Sequence, residues 1–338
     1  MALRLRWLAS LGAVAAVASA CNGPVLSTAP TPSAAGTGAV AGATAQEESY
    51  PEVVSAVSPS IVLIETPHGL GSGVVFDSAG DIVTNAHVVS SDQTMVVTAS
   101  DGQQYVASVV GTYVPGDVAV IKVNASLRAA RWGDSSKLKV GQVVLAIGNP
   151  LGLQSSVTEG IVSGLGRTVS EPNGAVLVDV VQTSAAINPG NSGGALVDLQ
   201  SEVVGVPTLA AYDPQMGGAA PGIGFALSSN RVTDYADQIV RNGRVVNTHR
   251  AYLGVQVGEV ADVGLVVLGV AEGGPAWNAG IRTGDVIVSV NGKPTTNAAA
   301  LTEALAMLNP GDVATVGLKR GGHVTTTRVT LGALPAQQ

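Results

Sequence analysis

Ser192 lies in Gln182–Leu196 (QTSAAINPGNSGGAL), between Gly190 and the pair Gly193 and Gly194. Glycine has no Cβ, so such a stretch can turn sharply and bring backbone N–H groups close to a ligand. A nucleophilic serine needs that setting: an exposed hydroxyl, and donors aimed at the oxyanion that forms on attack. The same residues would also make a tight Gly/Asn/Ser turn between strands. A nucleophile further needs a base to take its proton and a carboxylate to orient that base. The histidines are His68, His87, His249 and His323. His87 falls in TNAHVV (Thr84–Val89), whose small and apolar residues are not the surroundings of a solvated surface histidine. Asp117, in PGDVAV (Pro115–Val120), stands where a loop enters an apolar strand. The plainer role for such an acid is a turn or strand start.

The elements that must position these groups read as short strands. Runs rich in Val and Ile cover Ile61–Glu65, Gly73–Phe76, Asp81–Thr84, Met95–Ala99, Tyr105–Val110, Val118–Val123, Gln142–Ile147, Gly160–Ser163, Val176–Gln182, Ala195–Val197 and Glu202–Val206. Gly, Asp-Gly, Asn-Pro and Pro-Gly turns punctuate them. Many strands without helices between them predict an all-β sandwich or a pair of barrels. A short helix is expected over Tyr50–Ser58, and a clear one from Asn230 to Arg241. The latter is capped by Ser228 or Ser229, striped by Val232, Tyr235, Ala236, Ile239 and Val240, and stopped by Gly243. The order His87, Asp117, Ser192 is the one in which double β-barrels assemble such a triad. Gly190–Gly194 also fits the G-x-S-x-G elbow, which requires strand, turn and helix with acid and histidine following. His249 and His323 do follow, but the residues after Ser192 read as strand and no βαβ rhythm exists.

At 338 residues the chain has room for two or three domains. Its net charge of −7 implies no basic surface for nucleic acid. Scattered histidines and a single cysteine suggest no metal site, and no cofactor is expected. Arg4 and Arg6, the apolar Trp7–Ala18, and Ala18-Ser19-Ala20 before Cys21 read as an export signal. The apolar run is too short to span a bilayer comfortably. The triplet before a lone Cys resembles the lipobox of bacterial lipoproteins, with Ala18 where Leu is commonest, and implies lipidation of Cys21. From Asn22 to Gln46 the chain is Pro, Ala, Gly, Ser and Thr without apolar periodicity, a flexible tether.

Thr84–Val89, Asp117–Val123 (DVAVIKV), Gly141–Gly152 (GQVVLAIGNPLG), Gln182–Leu196 and Gly222–Leu227 (GIGFAL) together resemble the HtrA/DegP family of trypsin-like serine proteases with a PDZ domain. The resemblance implies a mainly β chain: a chymotrypsin-like double β-barrel, then a PDZ domain, an α+β β-sandwich with two helices. Expected boundaries are 1–20 signal, 21–46 tether, 47–246 protease and 247–338 PDZ. It makes Ser192 the nucleophile, His87 the general base and acid, and Asp117 the orienter. The N–H groups of Gly190 and Ser192 become the oxyanion hole. Ile187, Gly222, Ile223, Gly224 and Phe225 become walls of a small apolar pocket favouring cleavage after small aliphatic residues. Tyr252, Leu253, Gly254 and Val255 resemble the PDZ loop that holds a peptide C-terminus. A second helix at Asn297–Leu308 places Leu301, Ala304, Leu305 and Leu308 on one face.

Departures from the family are Ser184 where Asp is common, Pro207 where Asn is usual, and Asn191 where trypsin-like zymogens carry an acid. The Pro67–Gly73 loop is short where some members of the family carry a long insertion used in larger assemblies, so the resemblance implies a homotrimer, with Tyr50 a possible contact. The implied protein is an exported, lipid-anchored bacterial envelope endopeptidase acting on unfolded or misfolded proteins and governed by C-terminal peptides. Two other readings stay open: a site-specific signalling protease for one membrane protein, and a chaperone module with an idle triad.

Overall fold

A computed structural model of the chain describes residues 49–89, 92–149, 156–170, 176–188, 190–213 and 218–335. The expected signal, Cys21 and the tether lie outside them. Helix α1 (residues 49–57) leads into β1 (Ile61–Thr66), β2 (Gly69–Val75), β3 (Asp81–Thr84), β4 (Thr94–Thr98), β5 (Gln104–Tyr113) and β6 (Val118–Val123). These strands close in the order β1-β2-β3-β6-β5-β4 as a barrel around Val62, Ile64, Ile82, Val97 and Ile121. The one-turn helix α2 (Ala86–Val89) follows β3. Next come β7 (Val143–Gly148), β8 (Ser156–Ser170), β9 (Val176–Thr183), β10 (Ala195–Val197), β11 (Val203–Asp213) and β12 (Gly218–Ser228). They close as a second barrel, β10-β11-β12-β9-β8-β7, around Val144, Ala146, Val162, Leu196 and Val204.

Two apolar seams join the barrels. Val53 and Val57 of α1 cover one, with Ile61 and Val74 against Leu145, Ile147 and Val197. Helix α3 (Ser229–Asn242) covers the other: Val232, Tyr235, Ala236 and Ile239 meet Val83 and Val118 from one barrel and Leu177 and Val206 from the other. Each large side chain so buried is worth about 1.5–3 kcal/mol. The seams explain why β3 is buried at every position, without the alternation of a half-exposed strand. Gly243 ends α3 in the left-handed region, φ 70°, its N–H reaching Ile239 O. Ser228 takes the expected N-cap position, but neither serine hydroxyl makes the capping bond: Ser228 Oγ donates to Asp179 Oδ2 and Ser229 Oγ to Gly133 O. Strands β5, β8 and β11 run well beyond their expected ends, because their outer portions carry no apolar alternation.

The PDZ portion contains β13 (Ala251–Tyr252), β14 (Val255–Val260), β15 (Gly264–Val270), α4 (Pro275–Asn278), β16 (Val286–Val290) and β17 (Lys293–Pro294). After these come α5 (Ala298–Ala306), β18 (Val313–Arg320), β19 (His323–Thr330) and β20 (Gly332–Ala333). The sheet order β14-β15-β16-β18-β19 leaves β14 at an edge. Asn297 caps α5 through Ala300 N, and the helix stops two residues before the expected Leu308.

Arg320 Nε and Nη2 each donate at 2.6 Å to Asp285, a residue only 2% exposed. These bonds hold the Asp285 carboxyl below the usual carboxylate range, against the opposing effect of burial. A lowered folded pKa means the contribution is complete above the unfolded value of about 4 and is lost as pH falls through the folded one. Arg320→Ala should therefore destabilise the PDZ portion, since it leaves the buried Asp285 carboxylate without its charged partner, by an amount that solvent around the half-exposed Arg320 keeps modest. Urea unfolding at pH 7 measures this, and the difference should shrink as the pH is lowered below about 4.

Candidate active site

The carboxylate is fixed first. After β5 a 3-10 turn (Val114–Gly116) delivers Asp117 in the left-handed region, φ 52°, which Asp tolerates better than most residues. Its buried carboxylate collects three donors. His87 N reaches Oδ1 at 3.0 Å, His87 Nδ1 lies 3.0 Å from both oxygens, and Thr208 Oγ1 donates to Oδ2. Asn85 Nδ2 donates to the Asp117 carbonyl, tying β3 to the same turn. An ionised carboxylate only accepts, so Nδ1 carries the imidazole proton and Nε2 keeps the lone pair of a base. The His87 side chain is 43% exposed, not enclosed as its apolar neighbours predicted. Helix α2 buries Ala86 and Val89 and turns His87 outward to a cleft.

Ser192 comes from the other barrel, on the turn between Gly190 (φ 108°) and Gly193 (φ 78°). Asn191 is 2% exposed and staples this turn, its Oδ1 accepting from Asn188 N and its Nδ2 donating to Ala186 O. A carboxylate could do only the first, which accounts for an amide at this position. Among the described residues neither the Gly190 nor the Ser192 N–H has an acceptor, leaving two donors two residues apart. Ser192 Oγ donates to the Thr208 carbonyl at 3.2 Å. Thr208 thus touches both Ser192 and Asp117. Nothing local in its sequence marks it; it reaches the site because β11 passes beneath the nucleophile turn.

A cleft of about 440 Å³ is lined by both His87 and Ser192, with His68, Leu70 and Val88 beside the first and Ile187, Thr208, Leu209 and Ala210 beside the second, while Asp117 stays buried behind His87. Of the five expected pocket residues only Ile187 borders it. Gly224 backs Ile187 so closely that a Cβ would collide with it, Phe225 packs against α3, Ile223 is exposed and Gly222 lies within β12 with φ 71°. The reason is register. Leu209 pairs with Phe225 and Ala210 with Gly224, so the expected wall lies one strand farther out than the strand that faces the cleft. His249 lies instead beside Asp234 and His323 on β19, and the segment after Ser192 is strand β10, so no hydrolase elbow forms.

A second cavity, about 230 Å³, lies in the PDZ portion. Tyr252, Leu253, Gly254 and Val255 line one side; Ala298, Leu301, Thr302 and Leu305 of α5 line the other. Leu301 is also part of the core. Gly254, φ 82°, makes the turn that ends the loop.

Two closed barrels with a His–Asp pair facing a serine turn, followed by a PDZ fold, define a trypsin-like serine protease with a PDZ domain. The trypsin-like peptidase domain family matches residues 71–206 and the PDZ domain family residues 251–331. Serine endoprotease DegS of Escherichia coli (strain K12) is 38% identical over 281 residues, 79% of this chain and 78% of that one. Protease Do-like 1, chloroplastic, of Arabidopsis thaliana is 40% identical over 294 residues, 81% of this chain but 66% of that relative's length. A solved structure, HtrA-type protease AlgW with decapeptide, superposes with a TM-score of 0.62 at 29% identity, covering 85% of this chain and 99% of that one. The chain belongs to the HtrA family of serine endoproteases.

Proposed function

We propose that the chain cleaves unfolded or misfolded proteins of a bacterial envelope, with Ser192 as nucleophile, His87 as base and Asp117 as orienter. The observation that carries this reading is His87 Nδ1 shared by both oxygens of buried Asp117, on the cleft that also holds Ser192. On substrate entry Ser192 Oγ leaves the Thr208 carbonyl and gives its proton to His87 Nε2 as it attacks the scissile carbonyl. The N–H groups of Gly190 and Ser192 receive the oxyanion. His87 then protonates the leaving amine, and water repeats the sequence to release the acyl group. Asp117 holds the imidazole in the required tautomer throughout.

Ile187, with Leu209 and Ala210, supports a preference for small aliphatic residues before the scissile bond. The open edge of β14 beside α5 suits an added peptide strand whose C-terminus meets the Tyr252–Val255 loop. The Ser192–Thr208 bond favours one second reading, a resting enzyme that waits for such a peptide before acting on a narrow substrate. Lipidation of Cys21 and a homotrimer complete the proposal. Intact mass of the protein from cells tests the first, and sedimentation tests the second.

The decisive experiment incubates the purified chain, begun after Cys21, with a denatured protein, with and without peptides ending in apolar residues, and maps the cuts by mass spectrometry. Cuts after small aliphatic residues, faster with peptide and absent in Ser192→Ala, support the reading. Cutting that survives in Ser192→Ala overturns it.

A further inference from the structure

Ser72, on β2, is fully buried and belongs to the barrel that carries His87 and Asp117, yet it bonds the turn that carries Ser192. Its N–H donates to Ser192 O at 3.0 Å and its Oγ donates to Gly190 O in a very short bond. The same Oγ accepts from Asn149 N at 2.8 Å, just after β7. Its own carbonyl accepts from Thr84 Oγ1 at 2.7 Å, three residues before His87. The turn is pressed onto this post: a Cβ at Gly193 would collide with Ser72 O and with Thr84 Oγ1.

We infer that Ser72 is a positioning residue that sets the oxyanion donors and Ser192 in register with His87 across the two barrels. The peptide units it grips, those whose carbonyls belong to Gly190 and Ser192, flank the unit that carries the Ser192 N–H. Rotating that unit would require breaking a bond to Ser72 on one side or the other. Without the hydroxyl, Gly190 O and Asn149 N lose a shared partner in a site closed to water, and the turn is free to seek other donors. The bond to Ser192 O survives any side-chain change, so the serine stays near His87 while the oxyanion donors drift. The loss therefore falls on the transition state more than on substrate binding.

This inference rests on Ser192 being the nucleophile, so the experiment starts there. Labelling of the full chain by a fluorophosphonate, abolished in Ser192→Ala, establishes that reading; no labelling of the parent sinks it, and this inference with it. With labelling in hand, Ser72→Ala is expected to lower kcat on a short peptide substrate about 10- to 100-fold, with KM within about twofold. Affinity for a peptide boronic acid, which mimics the tetrahedral adduct, should weaken by a similar factor. Ser229→Ala is the control, since it also removes a buried serine hydroxyl donating to a carbonyl, Gly133 O, away from the cleft. It should alter the melting temperature without changing boronate affinity. Should Ser72→Ala fail to fold, Ser72→Cys, which fills similar space but donates weakly, takes its place. A folded Ser72 variant with parental kcat and boronate affinity overturns the inference. So does a variant whose KM rises while kcat holds.

Discussion

Ser192→Ala will fold as the parent does and lose about a millionfold in kcat on a peptide substrate. The replaced hydroxyl makes one bond, a 3.2 Å donation to the Thr208 carbonyl at the edge of the cleft, so its removal costs little stability. The backbone bonds of the turn, Gly193 N to Pro207 O and Ser72 N to Ser192 O, do not involve the side chain. Substrate should still bind, because the cleft walls and the N–H groups of Gly190 and Ser192 remain. Single-turnover kinetics beside a thermal melt measures both halves. An unchanged kcat in a folded variant would remove Ser192 from the mechanism.

Asp117→Asn should come next, at about ten-thousandfold in kcat with the fold kept. The carboxylate accepts from His87 N, His87 Nδ1 and Thr208 Oγ1 together. An amide has one accepting oxygen, and its NH2 must face a donor on the other side. If that NH2 faces Nδ1, the imidazole takes the opposite tautomer and presents a proton, not a lone pair, toward Ser192. Activity should recover partly at high pH, where hydroxide substitutes for the missing base. A pH–rate profile is the measurement, and a flat loss across pH would argue that Asp117 acts only on the fold.

The chemistry was the more legible part of this chain. Glycines around Ser192, a histidine after a short strand, and an acid at a strand entrance are local signals, and the structure brings all three together. Strand runs without helices between them pointed to a sandwich or a pair of barrels, the family resemblance to the barrels, and β8 and β11 exceed the apolar runs that marked them in the sequence. Thr208 and Ser72 were not legible. Each matters through a partner far along the chain, Asp117 for one and Gly190 for the other, and only barrel closure makes those neighbours. Of the expected specificity wall only Ile187 borders the cleft, because which of β11 and β12 lies nearer to it depends on how the strands pair, which residue types at Gly222–Phe225 do not encode. The exposure of His87 was misjudged because apolar neighbours on a one-turn helix can all be buried while one side chain faces out.

The outer edge of β14 leaves backbone donors and acceptors without a neighbouring strand. Such an edge is a template for aggregation as much as for recognition, since a strand from any chain can add to it. Two features here narrow what can add. The β14–β15 register shifts between Gln256 and Val257, with Leu268 the extra residue on β15, and such a bulge raises the local twist that a long added strand would have to follow. Helix α5 stands alongside, and the Tyr252–Val255 loop closes the groove at one end. On the proposed reading of this groove, a chain that terminates at the loop would fit better than one that must continue past it. If free chain ends bind here as proposed, solubility and that selectivity are one property of this edge.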